Sequence, residues 1–494
     1  MDEDGVNSPV TEPIGGRVLS AASWSTLTEI VSKSVTPVTF VVLARYLTPV
    51  DFGIVAAAVI VISLSQVVSE AGLPKAVVQR DTLDERVLSG VFWSNLVLGA
   101  VLYVVIFLVA DGGAALFGDT RIAAVLRVQS LQLLLVAPAA VFRARFERNL
   151  EFKPLFVSRT ATTILPSLIA IPAVLWGAGY WALTIGALVG SLAQLILLAI
   201  MSDWQPRFEF DLEGLRPLAP FAFWVTAESL LYWAFTWGDS FVVGTLLDPY
   251  SLGLYRSASM LVITLFAALI SPLQPVLFSA FSRLQADRIK LMDAFERSAM
   301  LVGMVSLPAG VGLFLVGDTA AAAFLPSEWE GIGRALGILG LMHGVAWIVG
   351  LNDDLYRAIG KPKINAQVML ASLAVYLPVY VVAAQAGFDQ FLWSRLALAL
   401  GAVIAHMVVA GRIIDFGVRR TLWRLRWVGA ALVVMTIVVA LLGRVASSQS
   451  DGLVLFVQVA GGMAAYSLAL AWFERDVMKD TLSRIRVLRG GSNA

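Results

Sequence analysis

The sequence predicts an all-α, polytopic membrane protein of about 14 transmembrane helices, arranged as two six-helix lobes followed by two C-terminal helices. Three observations lead to this fold class: the apolar composition, an internal repeat, and the regular succession of long apolar segments. Of the 494 residues, 58% are hydrophobic and 14% are charged. Soluble domains carry about 25% charged residues. The composition therefore indicates a membrane protein with many spans.

The internal repeat relates residues 24–53 to residues 224–253 at a constant offset of 200 positions. Each copy is a long apolar segment that ends in a turn containing Pro and Gly, which suits a tight loop between helices. The segments before the fourth and tenth spans, 115–119 and 323–327, also resemble each other. The repeat unit is thus six spans, so both halves enter the membrane in the same direction, as in parallel-repeat transporters. The identical pairs noted at this offset are Ala22/Ala222, Trp24/Trp224, Thr26/Thr226, Thr36/Thr236, Val42/Val242, Leu47/Leu247, Pro49/Pro249 and Gly53/Gly253.

Fourteen apolar segments have roughly the 20 residues that a membrane-crossing helix needs. We place them at 18–44, 53–73, 88–110, 122–142, 155–175, 180–201, 218–246, 252–274, 296–316, 333–352, 366–384, 392–411, 427–446 and 453–473. The predicted organisation is a tail at 1–17, an N-lobe at 18–201, an inter-lobe loop at 202–217, a C-lobe at 218–411, helices 13 and 14 at 427–473, and a tail at 474–494.

The distribution of basic residues predicts the orientation of these spans. Most of the 36 lysines and arginines fall in the two tails and in alternate loops, which marks that side as cytoplasmic. Both termini are therefore predicted to be cytoplasmic, which agrees with an even number of spans. The acidic N-terminal tail lacks the basic start of a signal peptide. These basic residues are Arg17, Lys75, Arg80, Arg86, Arg143, Arg145, Arg148, Lys153, Arg207, Arg216, Arg283, Arg288, Lys290, Arg297, Arg357, Lys361, Lys363, Arg412, Arg419, Arg420, Arg424, Arg426, Arg475, Lys479, Arg484, Arg486 and Arg489.

Several function classes find no support in the sequence. The net charge of +1 gives no reason to expect a nucleic-acid partner, and the absence of Cys excludes disulfides and thiolate metal sites. The two histidines, His343 and His406, stand apart without carboxylates at ligand spacing, so neither a metal nor a cofactor is expected. There is no phosphate-cradling P-loop. The two glycine pairs, Gly310/Gly312 and Gly461/Gly462, are typical of close helix packing.

Charged residues inside the first lobe are the first candidates for function, because such residues are costly in hydrocarbon. Glu29 and Lys33 lie four positions apart in span one and therefore share a face. Arg127 falls within span four and Arg159 near the start of span five. An internal Glu29–Lys33 ion pair is the structural alternative for the first two.

The second lobe carries its own intramembrane charges. Glu228 and Asp239 fall in span seven, and Glu228 is one position from the repeat partner of Glu29. Arg256 and Arg395 lie near the predicted outer ends of spans eight and twelve. Their structural alternative is an arginine that extends its head to the lipid headgroups.

Prolines interrupt several spans, and each removes a backbone hydrogen bond and bends its helix. Pro37 is the best candidate for a gating bend, because span one also carries the charged face. The alternative is a static kink. The other interrupting prolines are Pro138, Pro166, Pro172, Pro272, Pro275, Pro308 and Pro378.

A series of short motifs runs through residues 15–415. They are Ala44–Gly53, Gly72–Arg80, Arg143–Arg148 with Phe152-Lys153, Asp239–Gly244, Leu252–Tyr255, Pro275–Arg283 and Phe324–Trp329. In this order and spacing they resemble the Wzx-type polysaccharide exporters of the multidrug/oligosaccharidyl-lipid/polysaccharide superfamily. The resemblance is to the branch that includes colanic acid and exopolysaccharide exporters.

The resemblance implies a flippase of the bacterial cytoplasmic membrane, not an enzyme. Such proteins move undecaprenyl-diphosphate-linked oligosaccharide repeat units to the outer leaflet by alternating access, before polymerisation. The implied partners are this lipid-linked oligosaccharide and membrane lipid, with a polysaccharide polymerase and a chain-length regulator. Two alternatives stay open: a drug or lipid-precursor exporter of the same superfamily, and a membrane polymerase or ligase. The latter would need a large outer loop with catalytic residues, and the longest outer segments, 111–121 and 317–334, are short.

The resemblance also implies roles for the intramembrane residues. Members of the family line the cavity between their lobes with cations that suit a diphosphate, and relatives couple transport to an ion. The candidates here are Lys33, Arg127 and Arg159 for substrate binding, Glu29, Glu228 and Asp239 for ion coupling, and Pro37 for gating.

Overall fold

The computed structural model describes residues 35–80, 84–209, 212–361, 363–414, 420 and 423–473, and this part of the chain contains helices and no strand. The helices of the first half are α1 (Val35–Ala44), α2 (Pro49–Ala71), α3 (Leu73–Gln79), α4 (Glu85–Leu116), α5 (Arg121–Gln129), α6 (Gln132–Arg148), α7 (Phe152–Leu175), α8 (Trp181–Ile200) and α9 (Leu212–Leu215). Those of the second half are α10 (Ala219–Leu246), α11 (Pro249–Ile270), α12 (Gln274–Leu284), α13 (Arg288–Phe324), α14 (Ile332–Ala346), α15 (Asn352–Ala358), α16 (Lys363–Ala386), α17 (Phe388–Ile414), α18 (Arg426–Val445) and α19 (Asp451–Phe473).

The helices coincide with the predicted spans. Within the described residues, 11 helical segments are long and apolar enough to cross a membrane. Two shorter apolar helices, α1 and α14, coincide with the first and tenth predicted spans, and α10 coincides with the seventh. The prediction of an all-α, polytopic fold is confirmed.

Helix α13 departs most from its predicted length. It has 37 residues, whereas the sequence predicts a span at 296–316. At 1.5 Å per residue it is about 55 Å long, which exceeds the roughly 30 Å of a hydrocarbon core. Its N-cap, Asp287, accepts a hydrogen bond from the Lys290 backbone N–H at 3.1 Å. The helix thus begins in a charged segment that hydropathy alone assigns to a loop.

In each repeat copy, a turn connects two helices, and the second helix starts with the same kind of side-chain cap. Before α2, the Thr48 backbone N–H and hydroxyl both donate to the Asp51 carboxylate at 2.8 Å. Before α11 the two residue types are exchanged, and the Asp248 carboxylate accepts from the Ser251 backbone N–H at 2.8 Å and from its hydroxyl at 3.2 Å. In both copies proline follows the cap, where its missing N–H costs nothing. The sequence repeat is therefore also a repeat of local structure.

Two prolines of the list above have clear structural settings. Pro272 lies in the break between α11 and α12, where the chain turns. Pro166 lies inside α7, and a Cβ added to Gly186 of α8 would lie 2.7 Å from its carbonyl oxygen. A Cβ on Gly190 would lie 2.9 Å from the Pro166 ring. The α7 bend is thus packed tightly against a small-residue face, as expected of a static kink.

The chain forms two compact units. The described part of the first contains residues 35–39, Ala58–Ala115 and Thr120–Trp233. The second contains Phe40–Ala57, Leu116–Asp119 and the chain from Ala234 onward. These units follow packing, whereas the predicted lobes follow the repeat, so the lobe boundaries stay a prediction.

A glycine stripe joins α13 and α14 within the second unit. A Cβ on Gly310 would lie 2.7 Å from the Gly340 carbonyl oxygen and 3.0 Å from the Gly344 α-carbon. The Ser306 hydroxyl donates to the Gly344 carbonyl oxygen at 2.9 Å. Close packing at Gly310 is confirmed, while a Cβ on Gly312 would meet no atom within 4 Å. The two helices are held at a distance that only glycine permits.

The two C-terminal helices pack on α13 as well. The Tyr466 hydroxyl of α19 donates to the Met304 carbonyl oxygen at 2.8 Å. Near the start of α13, the carboxylate of Glu296, which is 1% exposed, faces Arg424 at 3.4 Å and Arg420 at 3.6 Å. Helices α18 and α19 therefore form part of the core of the second unit.

Candidate transport sites

Two of the predicted site residues, Glu29 and Lys33, lie outside the described residues, and their roles stay predictions. Pro37 lies in α1 and is partly exposed. Glu228 lies in α10 with its side chain exposed, and no described residue forms an ion pair with it within 4.0 Å. The roles of Pro37 in gating and Glu228 in ion coupling stay predictions.

Arg127 is held at the edge of the first unit. Its guanidinium lies 2.6 Å from the Asp111 carboxylate of α4 and 5.6 Å from the centre of the Phe107 ring. Asp111 is 76% exposed and Arg127 is 35% exposed. An ion pair so open to its surroundings contributes little, about 0–1 kcal/mol in the soluble case.

Arg159 is the one predicted cation of the first unit that the described residues leave without an ion pair. It lies in α7 with its side chain exposed. Its backbone carbonyl accepts hydrogen bonds from the hydroxyls of Thr162 at 2.8 Å and Thr163 at 3.0 Å, while the guanidinium is left for another partner. Of the two predicted cations that the structure describes, Arg159 is the more available to an anion.

Helix direction separates these two arginines. Arg127 lies six residues after the start of the α5–α6 segment, and Arg159 lies seven residues after the start of α7. At 1.5 Å per residue each is about 10 Å from the start of its own span. Because consecutive spans run in opposite directions, we expect the two arginines to lie toward opposite ends of these helices.

An ion pair in the first unit escaped the sequence analysis. Arg143 of α6 lies 2.9 Å from Glu70 of α2, and the side chains are 28% and 33% exposed. The sequence analysis assigned Arg143 to orientation alone, because it falls in a basic loop. The partner at position 70 is far away in sequence, so only the packed structure identifies the pair.

The second unit contains a buried polar cluster centred on Asp239. The carboxylate accepts a hydrogen bond from the Tyr255 hydroxyl at 2.7 Å and from the Ser240 hydroxyl at 3.0 Å. It lies 3.1 Å from the guanidinium of Arg395, and the two side chains are 9% and 18% exposed. Asp239 is the predicted ion-coupling residue that the structure places in a defined site.

Arg395 is fixed by a second set of contacts. Its guanidinium donates to the Tyr380 hydroxyl and lies 5.2 Å from the centre of the Tyr380 ring. Phe391 packs edge-on against Tyr255 at 5.3 Å between ring centres and also touches Tyr380. The cluster thus joins α10, α11, α16 and α17. The alternative in which Arg395 reaches the headgroups is wrong for this structure, because its head points into the unit.

Arg256 lies beside this cluster. Its guanidinium lies 4.1 Å from the centre of the Trp237 ring and donates to the Ser240 hydroxyl at 3.3 Å. A cation stacked on an indole keeps its charge while losing part of its hydration. Arg256 is therefore also turned toward protein instead of toward the headgroups.

The two repeat turns touch each other within the second unit. We call residues 45–53 and 247–253 the turn pair. A Cβ on Gly53 would overlap the carbonyl oxygen of Pro249, and a Cβ on Gly253 would overlap that of Pro49. The contact is reciprocal, as expected for two copies related by a twofold axis. It closes the ends of the repeat helices on the predicted outer side.

Trp329 completes this closure. Its indole N–H donates to the carbonyl oxygen of Ala44, the last residue of α1, at 3.0 Å and to that of Leu47, in the turn that follows, at 3.2 Å. The ring packs edge-on against Phe40 and Phe52 at 5.1 and 5.2 Å. A helix C-terminus leaves carbonyl groups without partners, and the buried indole satisfies two of them. The segment before α14 therefore binds the first repeat turn.

Comparison with known proteins identifies the family. The model of the family described as "Polysaccharide biosynthesis protein" matches residues 42–333, more than half of the chain. The chain is 24% identical to the lipopolysaccharide biosynthesis protein WzxC of Escherichia coli K12 over 402 residues, covering 80% of this chain and 78% of WzxC. It is 27% identical to the succinoglycan biosynthesis transport protein ExoT of Rhizobium meliloti over 65% of each chain.

A solved structure shows the same fold. The chain superimposes on an inward closed conformation of the lipid II flippase MurJ with a TM-score of 0.76 and 16% identity, covering 93% of this chain and 100% of that one. The motifs that resemble Wzx-type exporters fall largely within the matched region 42–333. This chain belongs to the polysaccharide biosynthesis protein family of multi-pass membrane transporters.

Proposed function

We propose that this protein carries undecaprenyl-diphosphate-linked oligosaccharide repeat units across the bacterial cytoplasmic membrane by alternating access. The observation that carries the proposal is the family match over residues 42–333 combined with a flippase fold over 93% of the chain. The names of WzxC and ExoT connect those relatives to the biosynthesis of surface polysaccharides.

The placement of the two accessible arginines supports a stepwise path for the diphosphate. A diphosphate carries at least two negative charges and cannot enter hydrocarbon without partners. Arg159, near the start of α7, is free to take it on the predicted cytoplasmic side, and Arg127, near the start of α5, can take it on the other. Arginine pairs with phosphate through two parallel hydrogen bonds, which lysine cannot reproduce.

The first prediction tests these arginines in cells that lack the native exporter and express the variant. Arg159→Ala lowers polymer secretion roughly tenfold or more, the cost of one lost charged hydrogen-bonding partner. Arg127→Ala has a smaller effect, because Arg127 already has Asp111 as a partner. The double variant accumulates lipid-linked repeat units on the cytoplasmic side. Secreted polymer and extracted lipid-linked oligosaccharide are the two quantities measured.

Arg86→Ala is the matched control, since Arg86 forms an exposed ion pair with Glu209 at 3.7 Å in the same unit. It leaves secretion unchanged. Normal secretion by the double variant at wild-type abundance removes both arginines from the path. If the wild type itself fails to restore polymer but lowers sensitivity to toxic compounds, the drug-exporter alternative replaces the proposal.

The second prediction concerns orientation. Alkaline phosphatase fused after Ser448, in the turn between α18 and α19, is active only if that turn is periplasmic, as the basic loops predict. A β-galactosidase fused after Arg426, at the start of α18, is active only in the cytoplasm. The opposite pattern of activities contradicts the predicted topology, with both termini cytoplasmic.

A further inference from the structure

We infer that Arg395 is the permanent counter-ion of Asp239 and occupies the place that an exchangeable coupling cation would take. Asp239 is thereby a positioning residue for the second unit. The inference concerns the cluster itself and goes beyond the proposed function, because it holds for any solute that the protein carries.

The first step is to count the groups that contact the two carboxylate oxygens of Asp239. One carboxylate oxygen receives the Tyr255 hydroxyl at 2.7 Å and the Arg395 guanidinium at 3.1 Å. The other receives the backbone N–H of Ser240 and the Ser240 hydroxyl. A carboxylate has about four lone-pair positions. Three hydrogen-bond donors and the Arg395 ion pair already surround the carboxylate, so a metal cation would have to displace one of these contacts.

The second step is the balance of charge. Asp239 and Arg395 carry opposite charges, are nearly buried and lie in contact. A buried charge needs a partner, and each of these has one. A sodium ion or a proton on Asp239 would leave Arg395 uncompensated in the interior of the unit. Exchange of a cation at Asp239 is therefore electrostatically unfavourable.

The third step is the way in which Arg395 is held. Besides contacting Asp239, its guanidinium donates to the Tyr380 hydroxyl and lies 5.2 Å from the centre of the Tyr380 ring. Asp239 comes from α10, Tyr380 from α16 and Arg395 from α17. A free cation leaves its site during transport, whereas this cation is covalently part of α17. The pair thus ties three helices together permanently.

A third prediction follows, and it compares single and paired neutralisation. Asp239→Asn and Arg395→Gln each leave one buried charge without its partner, and each lowers export roughly tenfold or more. The double variant Asp239→Asn/Arg395→Gln removes both charges of the pair, leaves Arg256 stacked on Trp237, and recovers most of the export. Arg334→Gln is the control, because Arg334 and Asp389 form an ion pair in the same unit that is largely exposed. It leaves export nearly unchanged.

If Asp239 instead exchanges a coupling cation, the double variant is as inactive as Asp239→Asn, although its abundance equals that of the wild type. That result overturns the inference. Export by the wild type is the reference in every comparison. If the wild type fails to restore polymer, the proposed function is contradicted. The present inference is then tested by thermal unfolding of the purified protein.

The second measurement uses the purified wild-type protein, with Asp239→Asn for comparison, and needs no substrate. Its thermal unfolding temperature is compared in sodium chloride and choline chloride at equal ionic strength. A cation that binds the folded state raises this temperature by mass action. Equal temperatures in the two salts are expected. A rise specific to sodium that Asp239→Asn abolishes would overturn the inference.

Discussion

Replacing Gly317 by valine is expected to remove most of the folded protein from the membrane. Gly317 lies on α13, and an added Cβ would overlap the carbonyl oxygen of Gly333 and lie 3.3 Å from the Gly337 backbone nitrogen. Backbone atoms cannot move aside as a flexible side chain can. The two helices must separate along the glycine stripe, which loosens contacts over several turns. Overpacking alone costs about 1–3 kcal/mol, a large share of the stability of a typical domain.

The same helix provides the control for this fourth prediction. Gly312→Val adds the same side chain five positions away, where a Cβ meets no atom within 4 Å. Both variants replace a glycine of α13 by valine, so the change in helix propensity is the same. The difference in stability between them therefore reports the clash alone. Abundance in membranes and thermal unfolding in detergent are the measurements. Equal values for the two variants would show that the stripe does not set the distance between α13 and α14.

The sequence was sufficient for the spans because their signal is local. Apolar length marks a membrane helix wherever it falls, and Pro and Gly mark the turns after α1 and α10. It was also sufficient for the repeat, whose reciprocal contact between Gly53 and Pro249 agrees with the alignment. It failed for the length of α13, because a charged helix that extends beyond the membrane has no hydropathy signal.

The candidate site was less predictable, because its chemistry depends on pairs. Asp239 and Arg395 both stood out as intramembrane charges, yet they lie on spans far apart in sequence. Its predicted position near the end of a span suggested that Arg395 reaches the headgroups. Its contact with Asp239 is visible only once the helices are packed together. Arg127 was predicted as a substrate ligand without its partner Asp111. An ion pair between distant residues needs the three-dimensional neighbourhood.

The fifth prediction concerns the turn pair, and its effect on transport is expected to be the largest. Gly53→Val and Gly253→Val each place a side chain where the backbone of the other turn lies. The clash exists only while the turns touch. It therefore raises the free energy of the conformation described by this structure and does not affect a conformation in which the turns are apart. A penalty of about 3 kcal/mol shifts such an equilibrium by roughly a hundredfold. The proposed alternating access requires both states, so we expect export to collapse even though the protein remains folded.

The absence of cysteine makes this shift directly measurable. A single cysteine at Leu47, which is 2% exposed and lies in the turn after α1 beside Trp329, reports on opening without any background. We expect a membrane-impermeant maleimide to label it slowly in the wild-type sequence and rapidly when Gly253→Val is added. A cysteine at Ser448, in the exposed turn after α18, is labelled equally in both.

The matched variant is Gly112→Val, because a Cβ at Gly112 of α4 meets no atom within 4 Å. It should leave both labelling and export unchanged. If Gly253→Val blocks export while Leu47→Cys stays protected, the turns do not separate, and the substitution acts by another route. If labelling rises and export persists, opening at the turn pair is not part of the transport cycle. Rapid labelling together with lost export would assign a gating role to the contact between these two glycines. That combination is expected only if the same contact both closes the outer side and must be remade during transport.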